Sequence, residues 1–307
     1  RAERRWVYRA AKNVDRTTAF GSTQSLEATG TVMFMNCAFP TLDEDALDPS
    51  EVTLGPYCQT PYTTNSLFNI SGMSFGALSK PAVRALSRGA KLAGCWMNTG
   101  EGGLSPYHLE GGADIVFQIG TAKYGVRDEH GKLSTEKLKA IADHEQVKMF
   151  EIKMSQGAKP GKGGMLPGRK VTAEIAKIRG IPEGHDSISP NGHPEIKCPA
   201  DLLDMIETVR STTGKPTGFK AVIGEYTWLE SLFSEINNRG IESAPDFITI
   251  DSADGGTGAA PQPLMDSVGL PLRESLPLVV DLLKKHGLRE RVKVIASGKL
   301  IVPSKVA

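Results

Sequence analysis

The sequence predicts an α/β protein of the (β/α)8 barrel type, and three features of the chain lead to this prediction. From Leu67 onward, short apolar runs alternate with amphipathic helical segments, which is the pattern of parallel βαβ units. Polar, glycine-rich segments follow almost every predicted strand, whereas an open doubly wound sheet would concentrate them at one switch point. Seven such strands can be counted, so the eighth strand of the barrel is expected to be missing from this chain.

The predicted elements alternate in a regular order along the chain. Ser134 and Pro199 are typical helix starts, and Gly94 and Gly214 are typical helix ends. The strands are expected at residues 67–73, 95–98, 115–119, 149–154, 217–222, 246–250 and 292–296. The helices are expected at residues 80–93, 135–147, 172–179, 200–212, 226–239 and 273–286.

The first part of the chain differs from the rest. Residues 1–65 carry scattered aromatic side chains and a polar stretch at 41–51, with no long amphipathic run and one short predicted strand at 31–35. We interpret residues 1–65 as an N-terminal appendage to a barrel domain of residues 66–307, which is expected to be incomplete at its C-terminal end.

Composition restricts the classes of function. The 307 residues carry a net charge of +1, which gives no electrostatic basis for binding nucleic acid or an anionic membrane surface. Cys37, Cys58, Cys95 and Cys198 have no zinc-type spacing, and the histidines, interpreted as loop or surface residues, follow no metal-ligand pattern. No metal site is therefore predicted. No apolar run is long enough to cross a bilayer and no signal peptide is visible, so the cytoplasm is the expected compartment.

The most informative segment extends from Glu151 to Gly168. It begins as an apolar strand and enters a loop that contains five glycines, two prolines, Gln156 and two lysines, one of them Lys159. Glycine lets backbone N–H groups and cations approach an anionic, planar ligand closely, because it has no Cβ. The same composition is also typical of a flexible surface loop, and this segment alone does not decide between the two interpretations.

Charged residues at other strand ends extend this pattern. Lys153, Lys220 and Lys299 are predicted to form a cationic rim that binds a phosphate, a carboxylate or a reduced flavin. The alternative is that these lysines form internal ion pairs with Asp251 or Glu101. Glu101 lies among glycines, where a carboxylate can act as an acid or base, although in isolation an exposed turn residue is the favoured interpretation.

Further candidates are polar or glycine residues at the ends of three other predicted strands. Asp251 opens a glycine-rich nest that is suited to an anion or to the edge of a ring. The last strand ends where barrels often hold a phosphate group. These candidates are Gln118 after the third strand, Asp251, Gly255 and Gly256 after the sixth, and Ser297 and Gly298 after the seventh.

Together, the motifs resemble the FMN-binding synthase domain of the glutamate synthase family and its stand-alone members. The combination is far more specific than any single motif, and the family fold is a (β/α)8 barrel, as the alternation of elements also predicts. The matching motifs, in the expected order, are GMSFGALS at 72–79, NTGEGG at 98–103, KMSQGAKPG at 153–161, LPG at 166–168 and DGGTGA at 254–259.

The resemblance implies that FMN lies across the barrel mouth and that the domain reduces 2-iminoglutarate, formed from 2-oxoglutarate and ammonia, to L-glutamate. Glu101 and Lys159 correspond to family residues near the reactive flavin nitrogen and the substrate. An electron donor, ferredoxin or NAD(P)H-linked, is implied as a partner. The implied FMN contacts are Gly72, Met73, Ser74 and Asn98 along the flavin, Lys153 and Gln156 near its isoalloxazine ring, and Ser297, Gly298 and Lys299 near its phosphate.

The chain departs from the family pattern in ways that leave alternatives open. Met165 stands where the family has a glutamine on the substrate side, so a flavin enzyme with another substrate is one alternative. The family's glutamine amidotransferase is not recognised in the chain, and its iron–sulfur cysteines would lie beyond residue 307, so that cluster is expected only in a longer protein. A flavin-free binding or regulatory module and a lyase using Lys159 or Lys220 as a Schiff base are further alternatives, and homo-oligomerisation is open.

Overall fold

A computed structural model of the protein describes residues 2–14, 33, 35–47, 50–157, 159, 161–255, 260–300 and 306. The chain divides into two compact units, residues 1–48 with 299–307, and residues 49–298. The first unit contains helix α1 (Ala2–Ala11), which was not predicted, and a 3-10 turn at Asp43–Asp45. The short strand expected at 31–35 lies largely outside the described residues.

The second unit begins with an antiparallel hairpin and continues as a βα alternation. The hairpin consists of β1 (Val52–Leu54) and β2 (Tyr62–Thr64). The other strands are β3 (Met97–Asn98), β4 (Ile115–Ile119), β5 (Val147–Lys153), β6 (Met165–Leu166), β7 (Ser187–Ile188), β8 (Thr217–Val222), β9 (Phe247–Asp251) and β10 (Lys293–Ser297). The helices are α2 (Lys80–Leu92), α3 (Pro106–Leu109), α4 (Thr135–Ala142), α5 (Ala173–Arg179), α6 (Pro199–Thr213), α7 (Thr227–Arg239), α8 (Gln262–Ser267) and α9 (Leu272–Lys285).

Strand order in the main sheet confirms the predicted fold class. The six strands β3, β4, β5, β8, β9 and β10 are parallel and lie side by side in the order in which they occur along the chain. A doubly wound sheet reverses its order at a switch point, whereas a barrel does not. The protein is therefore an α/β protein of the barrel type, with helices between successive strands.

The first predicted strand is the main departure from the expected elements. Of residues 67–73, only Ile70 pairs with the sheet, through a parallel bridge to Met97 that adds a seventh position beyond β3. The chain then turns into a loop, and the backbone N–H of Met73 donates to the carbonyl of Asn98. In the part of the chain that the structure describes, no pairing connects β10 to this seventh position.

The predicted helix at 135–147 ends earlier than expected. Helix α4 stops at Ala142, and Val147 already belongs to β5, where it pairs with Ile115. The Nζ of Lys215 donates to the carbonyls of both Ala142 and Val147, one at the end of the helix and one at the start of the strand. A long-range contact thus fixes a boundary that local periodicity placed five residues later.

Alternate side chains along the strands face the barrel interior or the helices. The interior ones include Val116, Met149 and Phe247, which pack with Trp96 and with Tyr62 of the hairpin. The outward ones join the main core between sheet and helices, as Phe117, Phe150, Phe219, Ile248 and Ile250 do. Two residues further along the same strands, the interior becomes polar, with buried Asn98, Gln118, Glu151 and Thr249. The fold therefore closes its lower end with apolar residues and presents polar residues toward the C-terminal strand ends.

No helix among the described residues combines the length and the apolar character needed to cross a membrane.

Candidate active site

The centre of the candidate site is a carboxylate held by an amide and an ammonium group. Glu101 Oε2 accepts a hydrogen bond of 2.7 Å from Gln156 Nε2 and lies 3.5 Å from Lys153 Nζ. Lys153 Nζ also donates to Gln156 Oε1 at 3.1 Å, so the three side chains form a closed triangle. The side chains of Lys153 and Glu101 are only 14% and 19% exposed. Three residues that the sequence analysis took from two separate loops are therefore in direct contact.

A second ion pair lies beside this triangle. Lys220 Nζ is 3.2 Å from Asp251 Oδ2, and both side chains are largely buried. Gly157 lies against this pair, because a Cβ at this position would lie 2.1 Å from Asp251 Oδ2. Lys153 and Lys220 thus form the internal ion pairs that the sequence analysis gave as the alternative to ligand binding.

Lys159 lies deeper in the protein than its loop suggested. The residue is 3% exposed. Burial lowers the pKa of its ammonium group, while the negative charge of Glu101 acts in the opposite direction. A buried lysine close to a carboxylate that already has two other donors is suited to binding an anionic group of a ligand.

Close backbone packing and the Asn98 side chain position the Glu101 loop. Gly100 has φ +66°, and a Cβ there would lie 2.7 Å from the backbone nitrogen of Ser74. The N–H of Gly100 donates to Asn98 Oδ1 at 2.9 Å, and a Cβ on Gly72 would lie 3.2 Å from the Gly100 Cα. The predicted residues Gly72, Ser74 and Asn98 are thus brought together under the loop that carries Glu101.

Glu151 was not predicted as a site residue. It is buried in β5, where it accepts hydrogen bonds from Asn98 Nδ2 at 2.8 Å, Gln118 Nε2 at 2.7 Å and Thr249 Oγ1 at 2.5 Å. The signal was present in the sequence, because Glu151 precedes Lys153 by two residues and therefore shares its face of the strand. The carboxylate lies within an otherwise apolar run, and for that reason it was not predicted as a candidate.

Arg179 is a second residue that the sequence analysis missed. It ends α5 and is 5% exposed, with NH1 donating to Ser187 Oγ at 2.9 Å and NH2 to the Phe75 carbonyl at 3.3 Å. Its Nε is buried without a hydrogen-bond partner among the described residues. Burial lowers the pKa of the guanidinium group, and nearby Tyr124 and Glu101 act in the opposite direction. A Cβ on Gly102 would lie 3.2 Å from its NH2, so the cation borders the Glu101 loop.

Two histidines are buried next to the site. Only His108, in helix α3, contradicts the prediction that the histidines are loop or surface residues, because His193 lies in a loop. His108 is fully buried, and its Nε2 hydrogen bonds the carbonyl of Met73 at 2.8 Å. His193 is also buried, and its Nε2 bonds the carbonyl of Lys153 at 2.9 Å. Desolvation lowers the pKa of both rings. Both rings hold backbone carbonyls next to the site, an arrangement that spacing along the chain does not reveal.

The remaining candidates lie at the last two strand ends. Ser297 accepts a backbone hydrogen bond from Ser252 at 2.8 Å, and Gly298, with φ +116°, would place a Cβ 2.6 Å from the Ser252 Cβ. Lys299 belongs to the other compact unit. Gly255 follows the β9 end, and Gly256 lies outside the described residues. Within the described ranges, no group of His, Cys, Asp or Glu side chains is arranged to hold a metal ion.

Comparisons with known proteins agree on one family. A family profile described as the conserved region in glutamate synthase matches residues 31–307. A glutamate synthase large subunit-like protein of Bacillus subtilis is 47% identical over 264 residues, which cover 85% of this chain and 50% of that protein. An archaeal glutamate synthase (NADPH) of Methanocaldococcus jannaschii is 37% identical over 241 residues, covering 75% of this chain and 42% of that protein. The chain thus spans about half the length of these relatives.

Among solved structures, an aldolase aligns with 76% of this chain and 80% of its own, with a TM-score of 0.40 and 14% sequence identity. The fold assignment rests on the strand order described above.

Proposed function

We propose that this chain, which belongs to the glutamate synthase family, binds FMN at the C-terminal ends of its strands and reduces a 2-imino acid to an amino acid. The proposed starting pair is 2-oxoglutarate and ammonia, with L-glutamate as product. The names of the archaeal and archaeal-type relatives favour NADPH as the electron donor, and ferredoxin is the alternative donor. The observation that carries the proposal is the Glu101–Gln156–Lys153 triangle beside the buried Lys159.

The donor set at the strand ends fits a flavin. Lys153 and Lys220 supply positive charge near each other, as strand neighbours in register on β5 and β8. Gln118 carries an acceptor oxygen, Oε1, that makes no hydrogen bond among the described residues, while its Nε2 donates to Glu151. The small residues Gly72 and Ser74 border the same space. When bound and reduced, FMN supplies a hydride equivalent for the reduction of an imine.

Two buried cations are suited to the carboxylate groups of the substrate. Lys159 lies beside Glu101, and the Arg179 guanidinium borders the same loop, with its Nε unpaired in the part of the chain that the structure describes. A dicarboxylate such as 2-oxoglutarate would bring an anion to each, which would offset the cost of burying both positive charges. Glu101 would accept a hydrogen bond from the imino nitrogen and hold its proton, a role that needs the carboxylate to be partly shielded from water.

A second candidate is a flavin enzyme of the same type with a less polar substrate. Met165 is 56% exposed and pairs across the β6–β7 ribbon with Ile188, which is also exposed. Its neighbour Gly164 contacts the centre of the site, because a Cβ on Gly164 would lie 2.8 Å from Glu101 Oε1. An apolar pair at this position favours a 2-oxo acid whose side chain carries no charge.

The first test is the absorbance spectrum of the purified protein, followed by identification of the chromophore released on denaturation. We expect FMN at about one per chain. A protein that contains no flavin and takes none up from added FMN would contradict the proposal and favour a binding or regulatory module.

The second test separates the two substrate candidates. The FMN-loaded protein, reduced chemically, is supplied with ammonia and either 2-oxoglutarate or an aliphatic 2-oxo acid, and the amino acid formed is measured. Glutamate as the preferred product supports the first candidate. Preference for the aliphatic acid, reversed in Met165→Gln, supports the second, and the absence of both products contradicts imine reduction.

A further inference from the structure

The buried carboxylate of Glu151 connects its own strand, β5, to three other strands in the barrel interior. Gln118 lies opposite Glu151 in the register of β4 and β5, and Asn98 and Thr249 reach it from β3 and β9. All three partners donate and Glu151 only accepts, as fits an ionised carboxylate. The apolar layer of Val116, Met149 and Phe247 lies below this network.

The direction of these hydrogen bonds fixes how two amide groups are turned. An amide has one donating and one accepting end, and both Asn98 and Gln118 turn their NH2 groups toward Glu151. Their oxygens must therefore point elsewhere. Asn98 Oδ1 accepts the N–H of Gly100, in the loop that carries Glu101, and Gln118 Oε1 is left as an acceptor for a ligand.

The network also borders the proposed flavin position. A Cβ on Gly72 would lie 3.4 Å from both Asn98 Oδ1 and Gln118 Nε2, so these amides lie directly against the loop at residues 72–74. The two amides thus contact both that loop and the Glu151 carboxylate. In a water-poor interior, a negative charge at this depth disfavours the addition of electrons to a neighbouring group.

We propose that Glu151 is a positioning residue: it leaves the Gln118 oxygen as an acceptor for bound FMN, holds the Asn98 amide against the loop that carries Glu101 and, through its charge, lowers the reduction potential of that FMN. This inference rests on the proposed function, because it concerns the same cofactor. It concerns the tuning of the cofactor and not the chemical step, in which Glu151 has no contact with substrate.

The isosteric variant Glu151→Gln removes the charge and changes the direction of the hydrogen bonds at this position, while the volume of the side chain stays the same. Its own NH2 group would face the NH2 groups of Asn98 and Gln118, so one amide must turn and the negative charge is lost. We expect the affinity for oxidised FMN to fall about tenfold while that for reduced FMN is nearly unchanged. For a two-electron couple, this tenfold ratio raises the potential by about 30 mV.

Two further variants control for structure. Glu151→Asp keeps the charge and the accepting oxygens, so its FMN potential should stay close to that of the wild type even where its melting temperature falls. Thr249→Val removes one donor to Glu151 and leaves both amides and the charge in place, so it should move the potential much less than Glu151→Gln does. Melting temperature is recorded for all variants, because a merely structural role would lower it without moving the potential.

The measurements are FMN affinity by flavin fluorescence and reduction potential by titration against a dye. An unchanged potential in FMN-loaded Glu151→Gln overturns the inference and leaves the proposed function intact. A wild-type protein that binds no FMN overturns both. If Glu151→Gln does not fold, Gln118→Leu tests the same link, and an unchanged affinity for oxidised FMN in that variant overturns the inference.

Discussion

Two aspartates at opposite ends of one strand have opposite environments. Asp246 immediately precedes β9 and is completely buried, and it accepts hydrogen bonds from Arg210 Nε at 3.1 Å, Arg291 NH2 at 2.8 Å and the N–H of Thr217 at 2.8 Å. Asp251 ends β9 and has one ion pair, with Lys220 at 3.2 Å, and its side chain is largely buried. The same residue type is thus fully satisfied at the lower end of the barrel and sparsely satisfied at the upper end.

This contrast separates stability from binding. A buried carboxylate with several fixed donors is costly to disturb, because its partners would be left without a counter-charge. A carboxylate with a single cationic partner has fewer fixed donors, and a ligand can take the place of that partner. We infer that the lower end of the barrel maintains the fold and the upper end is adapted to ligands.

The largest effect is expected from Asp246→Ala. Removing this carboxylate leaves the buried Arg291 guanidinium without its counter-charge and Arg210 with the exposed Glu207, so the free energy of unfolding should fall by about 3–5 kcal/mol. Urea unfolding measures the change. The matched control is Asp204→Ala, which breaks the exposed ion pair with Arg239 and should cost less than about 1 kcal/mol. Similar losses in the two variants would contradict the contrast between the ends of β9.

At the upper end, Lys159→Ala should affect turnover and not folding. Loss of a buried cation that binds developing or fixed negative charge reduces kcat roughly 100-fold in comparable sites. We expect the melting temperature to stay within about 2 °C of the wild type, since burial already disfavours the charged form of Lys159. Lys162→Ala, an exposed lysine of the same loop, is the control. Wild-type turnover in Lys159→Ala would remove Lys159 from the catalytic role.

Lys153→Ala should mainly weaken FMN retention. The ammonium group is part of the triangle with Glu101 and Gln156, and its loss leaves one positive charge fewer beside the proposed flavin. We expect the dissociation constant of FMN to rise about tenfold, equivalent to about 1.4 kcal/mol. Lys148→Ala changes a lysine on the same strand but far from the site and should leave FMN affinity unchanged. Full flavin occupancy in dilute Lys153→Ala protein would contradict the assignment.

Acid should lower the free energy of unfolding through the two buried histidines at the upper end of the barrel. Burial lowers the pKa of His108 and His193 below the ordinary value of 6.5, so the unfolded chain binds more protons than the folded one in this range. Their contribution to stability is complete above about pH 6.5 and is lost as the pH falls toward their folded pKa values, by up to about 1.4 kcal/mol per pH unit for each ring. Urea unfolding from pH 7.5 to 5.0 measures the slope. His193→Gln should flatten it, whereas exposed His185→Gln should not.

The smallest effect concerns Cys58 at the lower end. Burial, reinforced by the negative charge of Asp246, raises the pKa of this thiol to about 12. Its contribution to stability is complete below about pH 9 and is lost between pH 9 and 12, the opposite direction from the histidines. At pH 8, a thiol reagent should modify exposed Cys198 quickly and Cys58 slowly. Equal rates at the two cysteines would contradict this protonation state.

The local pattern of apolar and polar residues was sufficient to predict most of the elements of the fold. The six main strands lie close to their predicted positions, because runs such as Phe247–Asp251 are apolar and bounded by turn residues. The end predicted at residue 147 for the helix now called α4 was wrong. The helix ends at Ala142, where its carbonyl contacts Lys215, 73 residues away in the chain. The strand at 67–73 was reduced to one bridge because its second half forms the loop that packs against Asn98 and Gly100.

The sequence predicted site residues only where a charged or amide side chain lies in a glycine-rich loop. Lys153, Gln156 and Glu101 were identified from glycine-rich motifs, and the structure brings them into contact. Glu151 and Arg179 were missed, because one lies within an apolar strand and the other at the end of an ordinary amphipathic helix.

The sequence by itself determined the barrel-type alternation, the family and the strand ends at which polar residues gather, since periodicity and motif order are properties of neighbouring residues. Only the tertiary structure decided which charges meet: that Lys220 pairs with Asp251 across β8 and β9, and that Glu151 collects donors from β3, β4 and β9. The physical reason is that hydrogen bonds and ion pairs act over a few ångströms in space, and the barrel brings to that distance residues that are about 30 to 100 positions apart in the chain.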